Sequence, residues 1–261
     1  MFDFHMHSSV SFDAFTEAKE MVDAAASAGI KQNCFTDHLD YDPLADPDKF
    51  VFDTQIYNET YDNLYHPDVE IFRGIEFGML PDNVETMEAD LKRRRFDFVL
   101  GSVHFVEDVD IYYDTFWKGK TMDQAEQRYL EETLACVKAH DGFDVLGHLT
   151  YACKAMSNPT HRPILYERHK DLVDEILRTL AQKGKGLEVN TSGLDPCGVF
   201  LPTADYLRRF KELSGEIVTV GSDAHNAERV GQYCQEACQM VADIFGYVCT
   251  FADRKPVFHK L

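Results

Sequence analysis

Short runs of apolar, β-branched and aromatic residues recur along the chain at Phe2–Met6, Gln32–Thr36, Val69–Phe77, Asp97–His104, Asp144–His148, Gly186–Asn190 and Glu216–Ser222. Each predicts a buried strand rather than an alternating, half-exposed one. Helical spacing of apolar residues fills the intervals. Thr16–Ala28 carries Met21, Val22, Ala25 and Ala28 on one face and is closed by Gly29. Asp123–Ala139 is a long amphipathic segment, and His169–Lys183 sets Leu172, Val173, Ile176, Leu177 and Leu180 at helical spacing before Gly184. Ala204–Leu213 and Glu228–Phe245 complete the set. Seven strands separated by helices or long loops predict an α/β fold with a parallel sheet, closed or nearly closed into a barrel. A doubly wound open sheet is the alternative, but no GxGxxG turn follows the first strand, which argues against a dinucleotide site. Tyr247–Phe251 and Pro256–Phe258 read as short extended segments after the barrel. With no repeat, low-complexity tract or Pro/Ser-rich linker, one domain over residues 1–261 is expected.

Charge narrows the function. The 261 residues hold 45 acidic against 26 basic side chains, a formal net charge of −19. That balance argues against a protein that neutralises nucleic-acid phosphates and against a polybasic membrane binder. The seven cysteines form no CxxC pair; Cys234 and Cys238 are the closest, one helical turn apart, and reduced core thiols are expected. The start, Met1-Phe2-Asp3-Phe4-His5, carries no basic segment followed by an apolar run, so no signal peptide is expected, and no run reaches the length of a membrane span. A cytoplasmic location follows as an expectation.

The chemistry lies just past the strands. Strand one runs into His5-Met6-His7, whose imidazoles, two apart in an extended chain, share a face. Strand two ends in Asp37-His38, strand three in Glu76, strand four in His104, strand five in His148 and strand seven in Asp223-Ala224-His225. Parallel β/α folds build their active sites at that end of the sheet. Singly, each residue is more often a structural rim residue. Jointly, clustered carboxylates and imidazoles without a cation would leave buried polar groups unpaired. This is more ligands than one zinc ion takes, and they suffice for two or three metals if a carboxylate bridges. Glu76 is the natural bridge. A bridged pair would hold a hydroxide for in-line attack on phosphorus, and thiolate-free N/O ligation suits zinc, manganese or iron. His66, His140, His161, His169 and His259 fall in predicted loops, helices or the tail; His161 is of interest because it lies on a long loop after strand five, and the others read as solvated.

HMH at the start, FTDH, GIEF, GSVHF, GHL, LEVNTSGL and GSDAH stand in this order over nearly the whole chain. Together they resemble the polymerase-and-histidinol-phosphatase (PHP) family, and within it the stand-alone histidinol-phosphatase branch. The resemblance implies a distorted, TIM-like (β/α)7 barrel with three divalent metal ions (zinc, manganese or iron) at the C-terminal ends of the strands. It places His5, His7, Glu76 and Asp223 on the first metal, and Glu76, His104 and His148 on the second. Asp13, His38 and His225 fall to the third. It implies phosphomonoester hydrolysis, with histidinol phosphate as substrate and Glu76 and Asp223 acting catalytically through a bridging hydroxide. Three divalent cations outweigh Asp13, Glu76 and Asp223, so a cationic centre can sit inside an acidic protein and draw a small phosphorylated substrate.

Arg162 is the first candidate for a phosphate clamp, with Lys154 and Arg229 as alternatives, and Asn190 and Ser192 could donate hydrogen bonds to substrate. Asp37 could orient His38, and Asp40, Asp42 or Glu107 could face the substrate's amines. Two departures from the family pattern bear on the pocket: Asp195 stands where relatives tend to carry a basic residue, and Leu149–Lys154 replaces a more acidic continuation. The alternatives are a phosphoesterase or nuclease acting on small nucleotides, and a non-catalytic metal-binding scaffold, which would predict eroded ligands. The long stretch Tyr41–Asn63 is a candidate lid.

Overall fold

The computed structural model describes residues 1–44 and 49–260. Seven of the apolar runs form parallel strands: β1 (Phe2–Met6), β2 (Gln32–Phe35), β3 (Glu70–Gly78), β4 (Phe98–Ser102), β5 (Val145–Leu146), β6 (Gly186–Asn190) and β7 (Val218–Gly221). They are hydrogen-bonded in chain order. Just past its end, β7 returns to β1: the Asp223 amide donates to the His5 carbonyl (2.7 Å) and the His7 amide to the Ala224 carbonyl (2.9 Å). Those bonds nearly close the sheet into a barrel at its C-terminal rim. A side chain reinforces the seam. The buried Asp3 carboxylate accepts from the Ser222 amide (2.8 Å), the Ser222 hydroxyl (2.6 Å) and the Gly231 amide (2.9 Å).

Helices surround the sheet: α1 (Ala18–Ser27), α2 (Thr54–Tyr61), α3 (Val84–Arg93), α4 (Met122–Ala139), α5 (Lys170–Gln182), α6 (Ala204–Glu212) and α7 (Cys234–Phe245). Local chemistry sets their ends. Thr121 and Gln124 form a reciprocal capping box on α4, and Asp53 accepts from the Gln55 and Ile56 amides to start α2. The apolar stripe of α5 buries Val173, Ile176, Leu177 and Leu180 as its spacing predicts. Six of the seven cysteines are buried and none is disulfide-bonded; Cys234 and Cys238 lie on the buried face of α7.

The pattern expected α7 to begin at Glu228, but a 3-10 turn at Ala227–Arg229 and a left-handed Tyr233 intervene. Part of the candidate lid is also a packed element: α2 buries Tyr57 and Tyr61, and residues 45–48 lie outside the described residues. The tail forms an antiparallel hairpin, β8 (Val248–Ala252) with β9 (Lys255–His259). From it Phe251 joins a buried cluster with Phe4, Cys34, Phe72, Phe98, Leu100 and Val145, contributed by five consecutive strands. This cluster fills the barrel below the site, and the Phe251 and Phe98 rings stand 4.9 Å apart.

Candidate metal centre

The strand ends deliver their polar residues to one point. His5 leaves β1, and a register shift between Asp3 and Met6 lets both His5 and Phe4 turn inward. A two-residue step of the chain brings His7 to the same place, with His5 Nε2 and His7 Nε2 3.1 Å apart. Glu76, on β3, is the hub. Its Oε1 lies 2.7 Å from His148 Nε2 and 3.3 Å from His104 Nε2; its Oε2 lies 3.1 Å from His5 Nε2, 3.5 Å from His7 Nε2 and 3.4 Å from His38 Nδ1. Asp223 reaches His5 and His7 Nε2 at 3.5 and 3.4 Å. It does so from a left-handed backbone (φ 57°), a conformation costly outside glycine, which turns the chain so that Asp223 and His225 both face the cluster. Asp13 stands at the outer side, 3.2 Å from His225 Nε2 and 3.6 Å from His38 Nε2.

The structure thus brings together all of His5, His7, Asp13, His38, Glu76, His104, His148, Asp223 and His225. Whether they fit divalent ions can be judged from the ring nitrogens, since a ligating imidazole offers one nitrogen and anchors the other. His5 Nδ1 is 2.7 Å from Glu188, His7 Nδ1 3.2 Å from Ser11 Oγ, His38 Nδ1 3.0 Å and His104 Nδ1 2.8 Å from Asp40, and His225 Nδ1 3.0 Å from the Asp223 carbonyl. His148 Nδ1 has no hydrogen-bond partner among the described residues. Every Nε2 faces another ligand candidate. Four close groups result: His5–His7–Asp223, His5–Glu76–His148, His7–His38–His225 and His38–Asp40–His104. Buried nitrogens and carboxylate oxygens converging without thiolates form a donor set for divalent cations.

The electrostatics agree. Burial opposes charge on His38, but Glu76, the Asp40 hydrogen bond and Asp13 outweigh it and push its pKa up to about 9. Against the same burial, Glu188, Glu76 and Asp223 raise His5, and Asp40 and Glu76 raise His104, both well above the ordinary value. His7 goes the other way, to about 3, through burial and the facing His225 and His38. Glu76 is held well below the usual carboxylate range because four imidazoles overcome its burial. Asp40, likewise buried, is lowered by His104 and His38.

Several residues behave differently from expectation. Arg162 does not reach the site: its guanidinium is tied to Glu126 (2.7 Å) and Asp123, both on α4. Lys154 does. A 3-10 turn at Tyr151–Cys153 lifts it onto the cavity wall, where its ammonium donates to Ser192 Oγ (2.7 Å) and to Asp223. Ser192 lines the cavity. Asn190 is fully buried behind it and donates to Glu188 (3.3 Å) and Asp223 (3.2 Å). Asp195 pairs with Arg229 and accepts from the Tyr233 hydroxyl (2.9 Å), which holds Arg229 at the cavity mouth.

Asp37 does not contact the His38 ring, because neighbouring side chains of an extended segment diverge. It accepts from the Ser8 amide, the Tyr61 hydroxyl and Ser11 Oγ, and Ser11 in turn meets His7. Glu107 pairs with Arg128 outside the site. His140 and His169 are buried rather than solvated, bonded to the Leu80 carbonyl (2.7 Å) and Glu126 (2.9 Å), and His161 Nδ1 sits 3.0 Å from the Cys153 carbonyl. Sequence reasoning missed Glu188 and Asp40 as anchors. The available signal was an acidic residue inside an otherwise apolar buried run, GLEVN, and a carboxylate two residues after His38.

Above the cluster opens a cavity of about 530 Å³. Its walls include Phe12, Phe50, Phe105, Tyr112, Tyr113 and Tyr151, together with Asp110, Lys154 and Arg229. No helix among the described residues is long and apolar enough to cross a membrane.

The family model of the PHP domain matches residues 3–192. A histidinol-phosphatase of Lactococcus lactis is 31% identical over 232 residues, covering 87% of this chain and 85% of the relative. A probable histidinol-phosphatase of Clostridium acetobutylicum is 29% identical over 264 residues, covering 100% and 97%. Among solved structures, the histidinol phosphate phosphatase of Lactococcus lactis, crystallised with zinc, L-histidinol and phosphate, superposes with a TM-score of 0.88 at 28% identity over 98% of both chains.

Proposed function

The chain belongs to the PHP domain family, and from that premise we propose that it is a metal-dependent phosphomonoesterase that hydrolyses L-histidinol phosphate to L-histidinol and phosphate. The observation that carries this reading is the Glu76 carboxylate, met by five imidazoles at the floor of a cavity sized for a small phosphorylated molecule. Three ions are proposed: one on His5, His7, Glu76 and Asp223, one on Glu76, His104 and His148, and one on Asp13, His38 and His225. Zinc, manganese and iron all suit these donors. Bound there, divalent cations supply an activated water and positive charge for the phosphoryl oxygens.

The chain's own residues do the rest. Glu76 and Asp223 hold the cluster together, one from each half of the barrel. Lys154, set between Ser192 and Asp223, and Arg229, held by Asp195, meet the phosphate from one wall. This assigns to Lys154 and Arg229 the role first expected of Arg162. Asp110, also in the cavity lining, offers a carboxylate to the substrate's ammonium, and the aromatic side chains hold its imidazole ring. Asn190 keeps Glu188 and Asp223 in register from behind.

The test compares turnover of histidinol phosphate with that of p-nitrophenyl phosphate and a bis-ester, using zinc- or manganese-loaded protein. Histidinol phosphate should be preferred, and Glu76→Gln should lower its kcat/KM by at least ~100-fold. Faster hydrolysis of the bis-ester, or near-native turnover by Glu76→Gln, refutes the assignment.

A further inference from the structure

We propose that Asp40 is a positioning residue that orients two imidazoles of the cluster at once, His38 and His104, and that Gly78 is the space in which its carboxylate sits. The inference rests on the reading that the cluster holds divalent ions.

Asp40 ends the short strand His38–Asp40, which lies parallel to β3 with His38 beside Glu76 and Leu39 beside Phe77. Its side chain is buried, with Oδ2 3.0 Å from His38 Nδ1 and Oδ1 2.8 Å from His104 Nδ1. An ionised carboxylate only accepts hydrogen bonds. Both rings therefore keep a proton on Nδ1, and when an ion takes the place of the second proton it is the Nε2 lone pair that each ring presents. Those two Nε2 atoms point to different parts of the cluster, His38 toward Asp13 at 3.6 Å and His104 toward Glu76 Oε1 at 3.3 Å. One carboxylate thus sets the tautomer and tilt of one ligand in each of two proposed ion sites.

The opposite strand is shaped for it. The register carries Asp40 alongside Gly78, and a Cβ on Gly78 would stand 1.9 Å from Asp40 Oδ1 and 2.8 Å from its Cγ. Gly78 is not among the glycines with positive φ, so space rather than backbone freedom calls for glycine there. Asp40 could instead ligate an ion with His38 and His104, which lie close enough to form a chelate. That arrangement would spend both Nδ1 atoms on one ion and leave Asp40 without either hydrogen bond.

The two roles give different results in a metal titration. In Asp40→Asn, one imidazole meets an amide NH₂ in place of an acceptor, and its proton moves to Nε2. Gly78→Ala drives the carboxylate off both rings while leaving every polar group in the chain. Zinc binding would be measured by chelator competition on both variants, their double variant and the native protein, with circular dichroism to confirm folding and cobalt(II) absorption to report ligand geometry. Each single variant should bind zinc roughly 10–100-fold more weakly, with full stoichiometry at saturation and a changed cobalt spectrum. The double variant should be little worse than the weaker single one, because both act through one carboxylate. Native affinity in a folded Asp40→Asn overturns the proposal, and so does loss of a whole equivalent at saturation, which would make Asp40 a ligand. If the native chain takes up no divalent ion, the metal-centre reading falls and this inference with it. Native uptake beside unaffected variants removes only the role of Asp40.

Discussion

His38 shows how much of the site's behaviour resides in single side chains. Its pKa of about 9, against an ordinary 6.5, comes from facing Glu76, Asp40 and Asp13. A histidine raised in the folded state stabilises it fully below pH 6.5, and the contribution fades as pH climbs through 9. His5 and His104 are shifted in the same direction, whereas His7 and His148 are lowered and stay neutral over that window. Metal-stripped protein should therefore lose several degrees of melting temperature between pH 6.5 and 9, since ~1 kcal/mol moves Tm by about 2–4 °C in a chain of this size. Ions need neutral imidazoles, so the Tm gain on adding zinc should grow over the same range. Thermal melts with EDTA and with zinc across these pH values check both slopes; a flat metal-free profile would mean that the imidazoles and carboxylates do not pair as described. The identities of these residues were visible in the chain. Their anchors were less so, because Glu188 and Asp40 act on partners far away in sequence.

At the scale of elements, the seven strands lie where the apolar runs put them, since a strand buried on both faces writes a continuous signal. Helices α2 and α3 escaped that reading. Thr54–Tyr61 buries only Tyr57 and Tyr61, and Val84–Arg93 only Met87 and Asp90, so neither carries a full apolar stripe. The strand ends are built for close approach: a Cβ on Gly221 would lie 2.2 Å from the His5 Cβ and 2.6 Å from Glu188 Oε1. Gly221→Ala must push β7 away from His5 and its Glu188 anchor. We expect zinc affinity to fall ~10-fold or more and Tm to drop by an amount matching ~1–3 kcal/mol of overpacking. Chelator competition beside a thermal melt tests this, and a variant with native values for both would show that β7 has room to shift.

Across the whole molecule, chemistry and stability sit at opposite ends of one barrel. The cluster occupies the C-terminal rim, while Phe251, delivered by the tail hairpin, packs with Phe4, Phe72 and Phe98 beneath it. Phe251→Ala should cost ~3–5 kcal/mol through the cavity it leaves. Turnover per folded molecule at low temperature should remain near native, because Phe251 touches none of the proposed ligands. Loss of zinc affinity equal to that of a ligand variant would show that the plug and the rim are coupled. The net charge of −19 lies over the protein's surface as well as in the site, where carboxylates are matched by imidazoles and the proposed cations. An acidic exterior disfavours long polyanions and leaves a small phosphorylated substrate free to reach the cavity.

The linear chain by itself determined the seven barrel strands, the order of the βα units and the polar residues past the strands, because apolar periodicity and strand-end position are local properties. It also carried enough motif to indicate the PHP family. Tertiary structure alone decided which cation reaches the cavity: Arg162, on the long loop after His148, is neutralised by α4, whereas Lys154 and Arg229 are held at the cavity by Ser192, Asp223 and Asp195. It alone paired His5 with Glu188 and joined His38 and His104 through Asp40. Those partnerships depend on barrel closure, which brings residues up to 183 positions apart within hydrogen-bonding distance, and no local pattern in a chain encodes a contact of that range.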